Sequence, residues 1–296
     1  MRCLIVFSIL MNLNLAFGQV AKDTSFTVSS EYKKQLKKYP HIKMVKPQSN
    51  SLVLKQKDIV YTDENRPLYL DAYLFKSNIK LPAVVMLHGG GWKSGDKSML
   101  ESFAEKIASN GYQCFAVEYR LSDEAQYPAG IEDVLKAIAY IKKNAERFNV
   151  DASKIAILGQ SSGAQMASLI GTKYNTEVNA IINIDGVLAF HHPESTEGKY
   201  ASLWLGGTYE EIPEIWKDAS ALFHTNEKTP PILFINSQHD RFHAGRNDMI
   251  EILNKHKIYS RVETISDSPH TFWLFEPWFD KTVQYTLDFL NEKLKS

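Results

Sequence analysis

Apolar and polar positions along the chain follow two different periods. Residues 58–61 and 68–74 read as half-buried strands, the second with clear period-2 alternation. Residues 82–87, 114–117, 154–158, 180–184 and 231–236 are near-continuous apolar runs of strand length, as required of strands buried on both faces, and residues 261–265 read as a last strand. Between them lie helical stretches. Residues 99–109 stop at Asn110-Gly111, a good helix terminator, and residues 131–148 place apolar side chains at 131, 134, 135, 138 and 141, one face of a helix. Residues 164–171, 245–257 and 283–295 complete the helical set. This βαβα order predicts an α/β fold: a mainly parallel central sheet with helices on both faces, entered through an antiparallel pair. More than forty residues separate the strand ending near 184 from the one starting near 231. Connections that long usually shape an active site, so residues 186–230 are expected to form a small lid insertion within one domain covering 51–296.

The N-terminus follows neither period. Arg2 precedes a short apolar stretch interrupted by Ser8, Asn12 and Asn14, and Ala16-Phe17-Gly18 supplies small residues at the two positions read by a signal peptidase. Residues 1–18 are therefore expected to be a signal peptide cleaved near Gly18, giving a secreted or periplasmic product with no stable membrane span. Cleavage would remove Cys3 and leave Cys114 without a partner in the chain. Cys114 lies in a buried-strand pattern and reads as a core residue rather than a nucleophile. Residues 19–50 are rich in Lys, Ser and Thr, have room for a short helix at 31–39, and read as an extension packed over the body or as a spacer.

Composition narrows the function classes. The 296 residues are 44% hydrophobic and 23% charged, which excludes disorder and coiled coil. Thirty-four basic and 34 acidic side chains give a formal charge of zero, without the basic surface of a nucleic-acid binder. That balance also offers no long-range steering toward a polyanion, which favours a neutral, esterified substrate.

Three separated motifs carry candidate chemistry. Gly159-Gln160-Ser161-Ser162-Gly163 follows a predicted strand and precedes a helix. That is where a nucleophilic serine projects from a tight turn, with glycines relieving the crowding. His88-Gly89-Gly90-Gly91-Trp92 follows the apolar run 82–87; the N–H groups of Gly90, Gly91 and Ser162 are placed to hold a tetrahedral oxyanion, and His88 reads as a loop brace. A serine needs a base, and that base needs an acceptor fixing its tautomer. His270 follows the last strand and is expected to be the base. Asp240, after the strand 231–236, is expected to be the acceptor, with His239, His243 and Asp267 as nearby competitors. Trp92, Trp204 and Trp273 are candidate substrate-binding aromatics on which a sugar ring can stack, with Trp273 or Trp278 expected to be exposed for that purpose. Adjacent His191 and His192 lack the further ligand spacing of a metal site.

These motifs, with Glu118-Tyr119-Arg120-Leu121, Tyr127-Pro128-Ala129 and Glu132-Asp133-Val134, carry a resemblance. From about residue 52 to the C-terminus the chain resembles the α/β-hydrolase superfamily, specifically its compact esterase branch of carbohydrate acetyl and feruloyl esterases. It departs where relatives often have Ala or Gly at Ser162 and Asn at Glu118. The resemblance implies a serine esterase using Ser161, Asp240 and His270 through an acyl-enzyme, without metal or cofactor. It implies an acetylated pectin or xylan as substrate, and leaves open a general carboxylesterase or lipase-like enzyme, a serine peptidase, a pectin methyl or feruloyl esterase, and an inactive binding module of the same fold. Oligomeric state is not readable from the chain.

Overall fold

The computed structural model describes residues 23, 25–64, 66–196 and 198–295. The expected signal peptide and Cys3 lie outside the described residues. The chain enters through α1 (Val28–Gln35), where the Thr27 hydroxyl accepts from the Ser30 N–H and the Ser30 hydroxyl accepts in turn from the Thr27 N–H. A two-residue strand, β1 (Lys43–Met44), follows. Strands β2 (Val53–Thr62) and β3 (Leu68–Phe75) form the expected antiparallel pair, with β2 starting five residues before the strand expected from the sequence.

The apolar runs then become the buried strands β4 (Leu81–Leu87), β5 (Gln113–Val117), β7 (Ala180–Ile184) and β8 (Ile232–Ser237) and the strand β6 (Val150–Gln160), buried over its second half. The last expected strand becomes β9 (Ser260–Ile265), largely uncovered at the sheet edge. The eight strands run in the order β2-β3-β5-β4-β6-β7-β8-β9, parallel from β5 to β9. Helices α2 (Glu101–Ala108), α3 (Ala129–Lys143), α4 (Ala145–Phe148) and α5 (Ser162–Lys173) alternate with the first of these strands. The stretch expected as one helix over 131–148 divides at Asn144, whose backbone is not helical. Helices α6 (Gly198–Leu205) and α7 (Pro213–Asp218) belong to the insertion, α8 (Arg246–Lys255) joins β8 to β9, β10 (Phe275–Glu276) follows β9, and α9 (Phe279–Leu290) closes the chain.

Burial divides into two apolar layers, one on each face of the sheet. One contains Ile131, Val134 and Ile138 of α3 with Met166 and Leu169 of α5; the other contains Phe103 and Ile107 of α2 with Val283 and Leu287 of α9. Cys114 is fully buried in β5 as a free thiol, and burial raises its pKa, so it is an inert core residue. The insertion packs inward, adding Trp204 and Trp216 to the first layer.

The N-terminal arm is docked on the body. β1 pairs antiparallel with β10 through Lys43–Glu276 and Met44–Phe275, and Tyr32 of α1 packs against Phe275. Glu31 is buried, and its carboxylate accepts from Lys34, Gln35 and Thr271, the residue after His270. Among the described residues no helix is long and apolar enough to cross a membrane.

Candidate active site

At the C-terminal edge of a parallel sheet, neighbouring strands deliver their loops to one place. β6 ends at Gln160, and Ser161 turns the chain into α5 with φ 53° and ψ −121°, a conformation costly for a residue with a side chain. The turn closes because Gly159 and Gly163 carry no Cβ. An added methyl at Gly159 would stand 2.0 Å from the Gly163 carbonyl oxygen, and one at Gly163 would stand 2.4 Å from the His88 carbonyl oxygen. The strained turn thus presents the Ser161 hydroxyl at the head of α5.

His270 arrives from the loop after β9. Its Nε2 lies 2.8 Å from Ser161 Oγ and its Nδ1 lies 2.7 Å from Asp185 Oδ2. Asp185 caps β7 with φ 54°, its side chain wholly buried. Its carboxylate also accepts from the Ser237 N–H at 2.9 Å and the Ser237 hydroxyl at 2.7 Å, so the end of β8 fixes its orientation. Phe242 lies flat against His270, ring centroids 3.4 Å apart, and Trp273 meets it edge-on at 5.2 Å.

Asp240 is not the partner of His270, contrary to the sequence expectation. Its side chain is 83% exposed in the loop after β8, and the imidazole it approaches is His243, at 3.8 Å. β7 and β8 are adjacent parallel strands ending at the same sheet edge, and the histidine reaches across to the acid on β7. Sequence order admits either acid, because both stand between Ser161 and His270.

Opposite Ser161, the loop after β4 holds Gly90 at φ 135° and Gly91 at φ 61°. The Gly90 carbonyl accepts from Lys93 and Ser94, while the N–H groups of Gly90, Gly91 and Ser162 have no acceptor among the described residues. His88 is buried, its Nδ1 2.8 Å from the Gly89 carbonyl, its ring stacked on Tyr119, whose hydroxyl donates to the His88 carbonyl at 2.7 Å. It braces the loop from behind.

Two spaces meet at Ser161. A cavity of about 30 Å³ is lined by Gly91, Trp92, Ser162, Val187 and Phe242; it admits a group of roughly one or two heavy atoms. A larger crevice of about 380 Å³ opens on the side of His270, its outer walls formed by Phe26, Glu31 and Lys34 of the arm and by Tyr200 and Arg241.

The expected tryptophan platforms are not at the surface. Trp204 and Trp273 are 1% and 2% exposed, and Trp278 is buried as well. Trp92 stacks on Trp204 at 5.4 Å and donates its indole N–H to Gln165, leaving part of its ring for the small cavity. Large aromatic faces are worth more packed in the two apolar layers than left in water: Trp92 and Trp204 lie in one, Trp273 and Trp278 in the other. His191 stacks on Tyr209 and His192 pairs with Asp248, and among the described residues no group of His, Cys, Asp and Glu is arranged to hold a metal. Phe242, Glu31 and Phe26 escaped the sequence reading because their positions depend on how loop and arm dock. Asp185 carried a signal comparable to that of Asp240: it directly follows the buried strand β7, whereas Asp240 lies three residues past the end of β8.

The chain is similar to known proteins in sequence and in fold. The BD-FAE family model matches residues 70–244, more than half of the chain. Esterase LipC of Mycobacterium tuberculosis is 25% identical over 232 residues, which are 71% of this chain; the match spans only 55% of that relative's length. A truncated carbohydrate esterase from gut microbiota superposes with a TM-score of 0.70 at 20% identity, covering 84% of this chain and 99% of its own. One of two fungal esterases from Rhizomucor miehei gives 0.72 at 17% identity, covering 92% of each chain. These likenesses show the α/β-hydrolase fold.

Proposed function

Since the chain belongs to the BD-FAE family, we propose that it is a serine ester hydrolase working through Ser161, His270 and Asp185. The observation that carries this reading is the unbroken run of hydrogen bonds from Ser161 Oγ through the His270 ring to the buried Asp185 carboxylate. A serine hydroxyl is a weak nucleophile at neutral pH; the imidazole removes its proton as the Ser161 oxygen attacks the ester carbonyl. Asp185 holds the Nδ1–H tautomer and stabilises the imidazolium that forms. The carbonyl oxygen, now negative, accepts from the N–H groups of Gly90, Gly91 and Ser162. His270 returns the proton to the departing alcohol. It then activates a water that cleaves the acyl-enzyme and regenerates Ser161.

The substrate reading follows from the two spaces. The small cavity does not contact His270, so it receives the acyl group, and its size fits acetyl or a similarly small acyl. The crevice containing His270 receives the alcohol and has room for a sugar ring. Supported further by the carbohydrate esterases among its structural neighbours, the enzyme is a secreted esterase removing acetyl groups from a plant cell-wall polysaccharide such as pectin or xylan.

The test is acetate and methanol release from acetylated pectin and acetylated xylan by the full chain expressed with its own N-terminus. Acetate release, its loss in Ser161→Ala by at least about 10³-fold, and labelling of Ser161 by a fluorophosphonate are expected. The mature product should begin at Gln19. Methanol without acetate would overturn the acetyl reading, and full activity in Ser161→Ala would overturn the catalytic assignment. Activity confined to small aryl or alkyl esters would place the enzyme with general carboxylesterases instead.

A further inference from the structure

The crevice beside His270 carries three cationic side chains, and two of them are already paired. Lys34 Nζ lies 3.1 Å from Glu31, while Lys93 Nζ lies 2.9 Å from Asp123 and 3.8 Å from Asp23. Those pairs account for the acidic side chains on the crevice walls. Arg241 is the third. Among the described residues no carboxylate lies within ion-pair reach of its guanidinium, which donates only to the Thr196 hydroxyl, at 3.4 Å. A ring contact orients this exposed side chain. The guanidinium carbon sits 4.0 Å from the centre of the Phe242 ring, and the opposing contact of that ring is His270, at 3.4 Å. A positive charge with no ion-pair partner among the described residues therefore stands on the ring that stacks against the imidazole that protonates the leaving alcohol.

We propose that Arg241 binds a carboxylate on the alcohol half of the ester, so that the preferred substrates are small acyl esters of sugar acids. The inference rests on the serine-esterase reading above. The acyl half is the poorer place for the carboxylate, because the small cavity is lined by the Asp185 carboxylate and by no cation. On the other side, a ring whose esterified oxygen meets His270 Nε2 fills the crevice and directs a ring substituent at Arg241. A guanidinium suits this role: its planar pair of N–H donors matches a carboxylate, and its charge persists at every working pH. Because the whole chain has a formal charge of zero, this recognition is local and acts after encounter, and it replaces the neutral, esterified substrate expected from that balance.

The deciding measurement uses two substrates that differ only in that charge: acetylated oligogalacturonate with free carboxylates, and the same oligosaccharide with its carboxylates methyl-esterified. Acetate release gives kcat/KM for each. Wild-type protein should favour the free acid ten-fold or more, mainly through KM, and the preference should shrink in high salt. In Arg241→Ala and Arg241→Gln the ratio should fall to about one, while Arg241→Lys should keep part of it. A wild-type ratio near one, or an unchanged ratio in Arg241→Ala, overturns the proposal. Binding of free galacturonic acid against galactose, followed calorimetrically, separates this from the catalytic reading. If wild-type protein binds the acid selectively and Arg241→Ala does not, yet no ester is cleaved, the site stands and the esterase assignment falls. If esters are cleaved without charge preference and neither sugar is selected, the reverse holds.

Discussion

At the scale of single residues, the decisive question is which acid serves His270. Asp185 is wholly buried and bonded to His270 Nδ1 and twice to Ser237, whereas Asp240 stands in solvent beside His243. Replacing Asp185 with Asn would keep the shape and remove the charge, letting the imidazole take the tautomer that cannot accept the serine proton. We expect kcat for an acetyl ester to fall on the order of 10³- to 10⁴-fold in Asp185→Asn and to stay within about two-fold in Asp240→Asn. Steady-state kinetics on 4-nitrophenyl acetate with both variants checks this; a large loss in Asp240→Asn alone would restore the acid inferred from sequence order. Ser161 and His270 were legible because strand, turn and glycine patterns mark their positions locally. The acid was not, since Ile184-Asp185-Gly186 and His239-Asp240 both follow buried strands, and only the reach of the histidine loop chooses between them.

At the scale of elements, the turn between β6 and α5 depends on close backbone approach, so its glycines are structural before they are chemical. A methyl at Gly163 would stand 2.4 Å from the His88 carbonyl oxygen and 2.5 Å from that of Leu87, joining α5 too tightly to the loop that carries Gly90 and Gly91. Gly163→Ala should lower stability by at least about 2 kcal/mol, or roughly 4–8 °C in the unfolding midpoint. Gly198→Ala meets nothing within 4 Å and should shift it by under about 1 °C. Thermal unfolding followed by circular dichroism distinguishes them, and equal midpoints would refute the packing argument. The same contrast explains what else could be read in advance. The buried runs of β4, β5, β7 and β8 announce themselves, because a strand covered on both faces has no polar alternative. The arm does not: residues 28–35 form a short helix whose role comes from Glu31 meeting Thr271 and from two backbone pairs between β1 and β10. Nothing periodic encodes such docking. The tryptophans misled for a related reason, since an aromatic beside a catalytic histidine looks the same in sequence whether it faces solvent or, like Trp273, the core.

For the molecule as a whole, stability rests on two apolar layers around the sheet, with the buried Cys114 free to form no bridge. Protons also act on the fold, and one group gives the effect a sign. His243 is buried behind the active site. Burial strips water from its charged form and the nearby Arg246 guanidinium repels it, both lowering its pKa below 6.5, against weaker attraction from Asp185 and Asp240. In the unfolded chain this imidazole titrates near its usual value of about 6.5. Between its folded value and that one, the unfolded state binds more protons than the folded state. The contribution of His243 is therefore fully present above pH 6.5 and is lost as the pH falls below it, by up to about 1.4 kcal/mol per pH unit until the folded value is reached. Carboxylates add their own dependence, so the clean measurement is a difference. Urea unfolding of wild-type protein and His243→Gln at pH 7.5 and pH 5.0 should show wild type losing more stability on acidification than the variant. Identical losses in the two proteins would mean that His243 protonates as readily folded as unfolded, and that the buried pocket behind Asp185 is open to water.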